Sequence, residues 1–511
     1  MGPNRLILAL ILHAGTAEAQ QPLSAIDWLD RPLTMPEIQA PMTAAKEPPV
    51  TDAVVVPGVN VTPLGQAMPD TVGLLPTATT GLPRSLWRAS RLDDLTEAFT
   101  QLPSEMLPAV QALVYTLLLA EADAPMGIGT DAAFLRARVQ ALVQFGAVDP
   151  ARALLERAGP DRPDLFDLWL SLSLLSGDED KPCTLLRARP TLSRDYAARV
   201  FCTARAGDWN TAALTLGTAI AIGAVDDGMA DLLTQFLDPE MIDASVTLPP
   251  PSAPSPLVFR LFEAVGAPLP TRALPRAFAM ADLRGTAGWK AELEAAERLA
   301  RTGALPATRL LGLYTDRSPA ASGGVWDRAR AIQAFDRALF RRDPARIAET
   351  LPKAWATARA ESLAVPFAQL FAAPLMDVDL PDAVRQTAFH IALLSPEYER
   401  AARHFEGGAD KRDSLLAQIA TGTATPDSAT DQLTRAILDG LTATGASDRH
   451  AALLENGRLG EAVVLAAIDL GRAGQGTGRD ATEALKTLRA VGLEDTARRA
   501  ALQLLILAPE G

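Results

Sequence analysis

Two cysteines, Cys183 and Cys202, are the only thiols in the 511-residue chain. Two sulfurs are too few to close a structural zinc site, whereas an even pair in an oxidising compartment suits a disulfide. The pair flanks a turn at Thr191 to Arg194 and is nearly equidistant from its middle. In an antiparallel helical hairpin such residues stand at the same height, so a Cys183–Cys202 bridge is expected, worth about 3 kcal/mol by loop entropy. The other chemistry-bearing residues do not assemble into a catalytic set. His390 lies in an apolar helical run (AFHIALL) that suits a core or groove histidine. His404 and His450 have no HExxH around them, and no GxSxG elbow or GxxxxGK[ST] phosphate loop occurs. Gly474, Gly476 and Gly478 are spaced like a phosphate-cradling loop but fall between two helices with no strand before them, so they read as a flexible connection. Asp377 and Asp379 ahead of Pro381 read as a solvated loop rather than a calcium site. No catalytic, cofactor-binding or metal-ligating residue is assigned, and no cofactor is expected.

The elements that would position these residues are helices. Between Asp131 and Gly223 the pattern runs helix, tight turn, helix three times. Asp131 to Phe145 precedes Ala151 to Ala158, Leu165 to Leu175 precedes Pro182 to Arg189, and Tyr196 to Ala206 precedes Trp209 to Ile222. One hairpin cannot bury its own apolar face, so copies must stack. Further helices are expected over Ser85 to Leu102, Ser104 to Ala122, Ala273 to Leu283, Trp289 to Thr302, Trp326 to Arg341, Pro344 to Ala364 and onward to the C-terminus. The fold class is all-α, an irregular α-solenoid of stacked helical hairpins. Hydrophobic residues make up 48% of the chain and aromatics only 5%, which suits closely packed helices. A net charge of −13 argues against a nucleic-acid partner, which would call for clustered Lys and Arg.

The N-terminus has the three parts of an export signal: basic Arg5, the apolar run Leu6 to Ala14, and the small-x-small site Ala17-Glu18-Ala19. Cleavage between Ala19 and Gln20 gives residues 1–19 as signal peptide and a periplasmic mature chain. No later segment is apolar over the roughly 20 residues that span a bilayer. Residues 20–83 carry frequent prolines, each removing an amide donor and disfavouring helix before it, and read as a largely disordered tail. Its apolar knots, Ile26, Trp28 and Leu29, then Val54 to Val56, are candidate anchors. Helical arrays are expected over 84–243 and 257–511, joined by a Pro-rich linker at 244–256.

The hairpins at Arg205 to Ala213 and Asn456 to Ala467 resemble tetratricopeptide-type units over about half the chain. That resemblance supports a helical-hairpin solenoid. Stacked hairpins make a long curved surface, and with export and no assembled catalytic set the expectation is a non-enzymatic scaffold whose concave face holds a protein or peptide partner in envelope assembly. The partner is expected to be lost when the Gly207 to Gly223 hairpin is removed. A second resemblance is local. Ala360-Glu361-Ser362 is similar to the catalytic segment of soluble lytic transglycosylases, which join an α-superhelix to a domain whose acid Glu precedes a Ser. It implies Glu361 as a general acid and makes a cell-wall enzyme or its accessory the alternative. The family's Gly-Leu-Met-Gln segment does not follow. A structural part of an exported machine is the third expectation.

Overall fold

The computed structural model describes residues 68–238, 248–405, 410–473 and 478–508. Among them are 25 α-helices and no named strand, the only extended pairings being isolated bridges at Leu75 with Ala120 and Arg91 with Met126. The signal segment with its Ala19–Gln20 junction, the knots at 26–29 and 54–56, and Gly474 and Gly476 lie outside the described residues.

The hairpins share one turn. In helix Tyr196–Arg205 the Gly207 amide donates to Ala204 O at 2.8 Å and the Asp208 amide to Thr203 O at 3.3 Å, with Gly207 in the left-handed region at φ 85°. These paired bonds satisfy the last carbonyls of the helix and aim the chain back along it. Asp208 then caps helix Trp209–Ala221 by accepting from the Thr211 amide at 3.1 Å. The same pair of bonds closes the turns at Gly146, Gly223, Gly457 and Gly492. It also forms at Arg342 (φ 51°) and Ser362 (φ 56°), two side chains in a region that costs them about 1–2 kcal/mol.

The tail boundary is corrected. Residues 68–83, assigned with the Pro-rich tail, are built into the fold. The Leu74 and Leu75 amides both donate to Leu119 O, and the Glu121 amide returns a bond to Leu75 O at 2.9 Å. Asp70 is buried, and its Oδ1 accepts from the Leu135 amide at 2.8 Å. That bond matters because helix Ala133–Gln144 has no side-chain cap of its own: its first flanking residue is Ala132 at φ 52°. Arg138, fully buried one turn later, donates to Val72 O, Leu118 O and Ala120 O at 2.8, 2.8 and 3.1 Å. Burial pushes its pKa down to about 10. It remains charged at neutral pH, tying the strap to the end of helix Pro108–Leu119.

Several helix boundaries also move. The chain expected to be one helix from Ser85 is a short turn at Arg84–Leu86 followed by helix Leu92–Thr100. The break is tertiary: Ser90 O accepts from the Met126 amide and the Leu92 amide donates to Met126 O, both at 2.9 Å. Pro108 opens its helix at the first position rather than kinking it. The helix expected to run to Ala364 ends at Ala360, and a further one, Ala364–Met376, follows.

Helices far apart in sequence share a core. Helices Leu92–Thr100 and Pro108–Leu119 pack on Leu459–Ala473, and the latter also on Glu494–Leu507. The Ala109 amide donates to buried Gln503 Oε1 at 2.9 Å. Helices on the two sides of the Pro-rich stretch also meet: Pro163–Ser176 packs on Pro256–Ala264, and Thr302 Oγ1 donates to Phe145 O at 2.8 Å. Residues 244–247 of that stretch lie outside the described residues; its end is a helix cap, Ser255 accepting from the Val258 amide. No described helix is long and apolar enough to cross a membrane.

Candidate interaction surface

The expected disulfide is present. Cys183 on helix Asp180–Ala188 and Cys202 on helix Tyr196–Arg205 are bridged, their Cα atoms 4.8 Å apart. The bridge pins the hairpin whose second member, through the Gly207 turn, launches helix Trp209–Ala221. Buried Ala212, Leu216 and Ala219 give that helix its inward stripe at i, i+4 and i+7.

Its other face departs from the usual pattern. No charged residue occurs between Asp208 and Asp226. Trp209 is 50%, Leu214 73%, Ile220 49% and Ile222 59% exposed. Single exposed apolar residues are ordinary, but four within fourteen positions on a charge-free helix form a patch that water solvates poorly. The threonines make it more apolar. Thr215 and Thr218 donate their hydroxyls to Thr211 O and Leu214 O at 2.7 and 2.9 Å, so their polar atoms turn back on the helix. Trp209 is steadied on one side by Phe236, ring centroids 6.1 Å apart, and Phe236 stacks in turn on Phe201 at 5.7 Å. The rim is acidic: Asp208, Asp226, Asp227 and Asp231 are all exposed. Hydrogen bonds from Thr211 hold the Asp208 carboxyl below its usual pKa.

Glu361 is elsewhere and does something different. It flanks the end of helix Pro344–Ala360, and Ser362 is the left-handed residue of the turn that follows. Its carboxylate receives Arg301 Nη2 at 2.5 Å and Arg328 Nη1 at 2.9 Å, while Arg301 Nε donates to its carbonyl at 2.8 Å. Arg328 continues to buried Glu297 through Nε at 2.8 Å and Nη2 at 2.6 Å, and Tyr314 OH donates to Glu297 at 2.7 Å. Burial, then the Glu297 charge, holds the Tyr314 hydroxyl well above its usual pKa. A general acid needs an apolar surround that keeps its proton on; Glu361 is instead an inner member of the ion-pair chain Arg301–Glu361–Arg328–Glu297, which joins three helices. The apolar pit beside it, lined by Leu310, Ile332, Leu363, Phe367 and Phe371, has a volume of about 20 Å³. That is room for a water, not for a sugar.

A larger recess of about 290 Å³ contains Thr271, Asp282, Glu294 and Arg298. Its polar groups largely satisfy one another. Thr271 Oγ1 donates to Asp282, and Arg298 donates to Thr271 O and Leu274 O at 2.9 and 2.5 Å.

The histidines are structural ties. His390 Nε2 meets Asp413 Oδ1 at 2.6 Å, joining helix Asp382–Leu393 to Lys411–Thr421. His404 Nδ1 contacts Arg400 O of its own turn at 2.8 Å. The sequence analysis missed an alignment at the third. His450 Nδ1 lies 3.1 Å from Ser447 Oγ and 2.9 Å from Thr487 Oγ1, and its Nε2 lies 3.5 Å from Asp469 Oδ2. The order resembles a hydrolase triad, and the Ser447-x-x-His450 spacing was there to be noticed. Ser447 and His450 are wholly buried, however, so no substrate reaches the hydroxyl. Asp377 and Asp379 are exposed, and no group of three metal-ligating side chains gathers among the described residues.

No protein-family model, curated protein or solved structure matches this chain.

Proposed function

We propose that this chain is an exported, non-enzymatic helical-repeat scaffold of the periplasm. In this reading its stacked hairpins hold a protein partner in envelope assembly, through the outer face of helix Trp209–Ala221. One observation carries the proposal: a charge-free helix, following directly on the helix that the Cys183–Cys202 bridge staples to its neighbour, leaves Trp209, Leu214, Ile220 and Ile222 facing solvent. Burial of such side chains against a partner supplies the main favourable term in association, and a tryptophan such as Trp209 is a typical anchor. The export signal ending at Ala19 and the disulfide agree in compartment.

The test is photocross-linking in cells from a probe placed at position 214, with a second probe at exposed Asp93, which lies on neither the helix face nor the Phe340 tip, as the control. The scaffold reading expects a discrete cross-linked protein from position 214 alone, on a chain whose mature N-terminus is Gln20. Equal, diffuse labelling from both positions, or a mature chain that retains residues 1–19, refutes it.

A further inference from the structure

A second exposed apolar side chain sits in the opposite electrostatic setting. Phe340 ends helix Val325–Phe340 and is 89% exposed, the most exposed large apolar residue among those described. Around it Arg337, Arg341 and Arg342 are exposed and have no ion-pair partner among the described residues. Arg346 is paired with Glu349 at 2.6 Å, and Asp343 is occupied capping helix Pro344–Ala360. Asp336, on the inner side, is half-buried, and burial raises its carboxyl pKa. The tip is therefore a lone exposed aromatic with three exposed arginines beside it in sequence, of which Arg337 also acts on the Asp336 carboxyl, on a chain of net charge −13. Arg342 also holds the left-handed position that glycine fills in the comparable turns at Gly146, Gly207, Gly223, Gly457 and Gly492. Strain kept at an exposed arginine points to use of that arginine.

We infer that the Phe340 tip of one copy docks on the Trp209–Ile222 face of a second copy, a reading that rests on that face being an interaction surface. The two regions are complementary in both respects that matter at short range. An aromatic knob meets an apolar helix face, and exposed Arg337, Arg341 and Arg342 meet a rim of Asp208, Asp226, Asp227 and Asp231, of which Asp227 and Asp231 are in no ion pair among the described residues. Within one chain both regions stay exposed, so the pairing is made between chains. Face-to-face pairing of two Trp209–Ala221 helices about a two-fold axis perpendicular to them would run them antiparallel. It would set Asp208 of each against Asp226 and Asp227 of the other, a like-charge contact that disfavours it. The repulsion expected from the overall negative charge is screened beyond about 8 Å at physiological salt, leaving the local contact to decide. Because tip and face are different surfaces, the contact is head-to-tail, and each assembly keeps one free tip at one end and one free face at the other.

The experiment uses the mature full-length chain in analytical ultracentrifugation. The wild type is expected to show a mass that rises with concentration past that of a dimer, and less association at about 0.5 M salt than at 0.05 M. Phe340→Glu blocks the tip and Leu214→Glu blocks the face; both positions are exposed, and each variant alone is expected to stay monomeric with an unchanged circular-dichroism melt. Mixed one to one, they are expected to form a dimer and stop, since the pair retains one intact tip and one intact face. A wild type monomeric throughout, or a mixture that stays monomeric while the wild type associates, overturns the proposal. So does loss of association in Leu214→Glu but not in Phe340→Glu, which is the face-to-face alternative. If Phe340→Glu still cross-links a different protein from position 214, the second-copy occupant fails while the scaffold reading stands.

Discussion

Helices Trp209–Ala221 and Leu459–Ala473 leave turns of the same design, yet three of 13 residues are buried in the first and eleven of 15 in the second. Asp208 donates its amide to Thr203 O, and Arg458 donates its amide to Leu453 O, each after a left-handed glycine. The local code is shared; what differs is cover. Helices Leu92–Thr100 and Pro108–Leu119, more than 300 residues earlier, lie on the second helix, with Gly460 hard against Trp87 and Leu86. Nothing among the described residues lies over the outer face of the first. An uncovered helix ordinarily carries charge on its outer face; this one carries Leu214, Ile220 and Ile222.

The sharpest way to break the comparison is to substitute the two helix glycines. A Cβ at Gly460 would stand 2.5 Å from the Trp87 ring and 2.8 Å from Leu86 O, so Gly460→Ala is expected to cost about 3 kcal/mol. At Gly217 a Cβ meets nothing within 4 Å, and Gly217→Ala is expected to stabilise by up to about 1 kcal/mol through helix propensity. Urea titrations of both variants decide this, and equal effects would mean that the two helices are covered alike. Reduction of the Cys183–Cys202 bridge should lower stability by about 3 kcal/mol in the same assay, by freeing the unfolded chain. Hydrogen exchange should quicken at the Trp209–Ala221 hairpin more than at Leu459–Ala473. Of smaller effect, Ser362→Gly should stabilise by about 1 kcal/mol, because glycine accepts the φ of 56° without strain.

A pH titration separates the second region further. Burial holds the His450 imidazole below its usual value of 6.5, so the unfolded chain binds that proton more readily. The stability owed to neutral His450 is present above pH 6.5 and is lost as pH falls through that value toward the lower folded pKa. Thermal melts should show this decline in the wild type and less of it in His450→Gln. A decline of equal slope in both would assign it to other groups.

The hairpins from Asp131 to Gly223 and the disulfide were legible because they rest on periodicity and on distance from a turn, both local properties. The outer apolar residues of helix Trp209–Ala221 were legible as residues but not as a surface, since sequence alone does not say which helix returns to cover which. The same limit hid the strap at 68–83. Asp70 caps a helix that begins more than 60 residues later, and Arg138 holds the carbonyls of an earlier one. Helix Ala364–Met376 was not set apart from its predecessor in the sequence, and it carries two prolines, Pro366 and Pro374. Pro366 lies in the first turn, where its missing amide has no intrahelical partner to lose. The surroundings of Glu361-Ser362 were hidden for a related reason: the serine's neighbour is a helix end, and the carboxylate's partners Arg301 and Arg328 come from other helices.

The central claim is that the outer face of helix Trp209–Ala221 is covered by another protein surface in use. Carbene footprinting tests it directly, comparing labelling of Leu214, Ile220 and Ile222 in dilute purified chain and in intact cells. The account predicts strong labelling of all three in dilute solution and protection of all three in cells, with exposed Asp93 labelled equally in both. Equal labelling of Leu214, Ile220 and Ile222 in the two settings would contradict it.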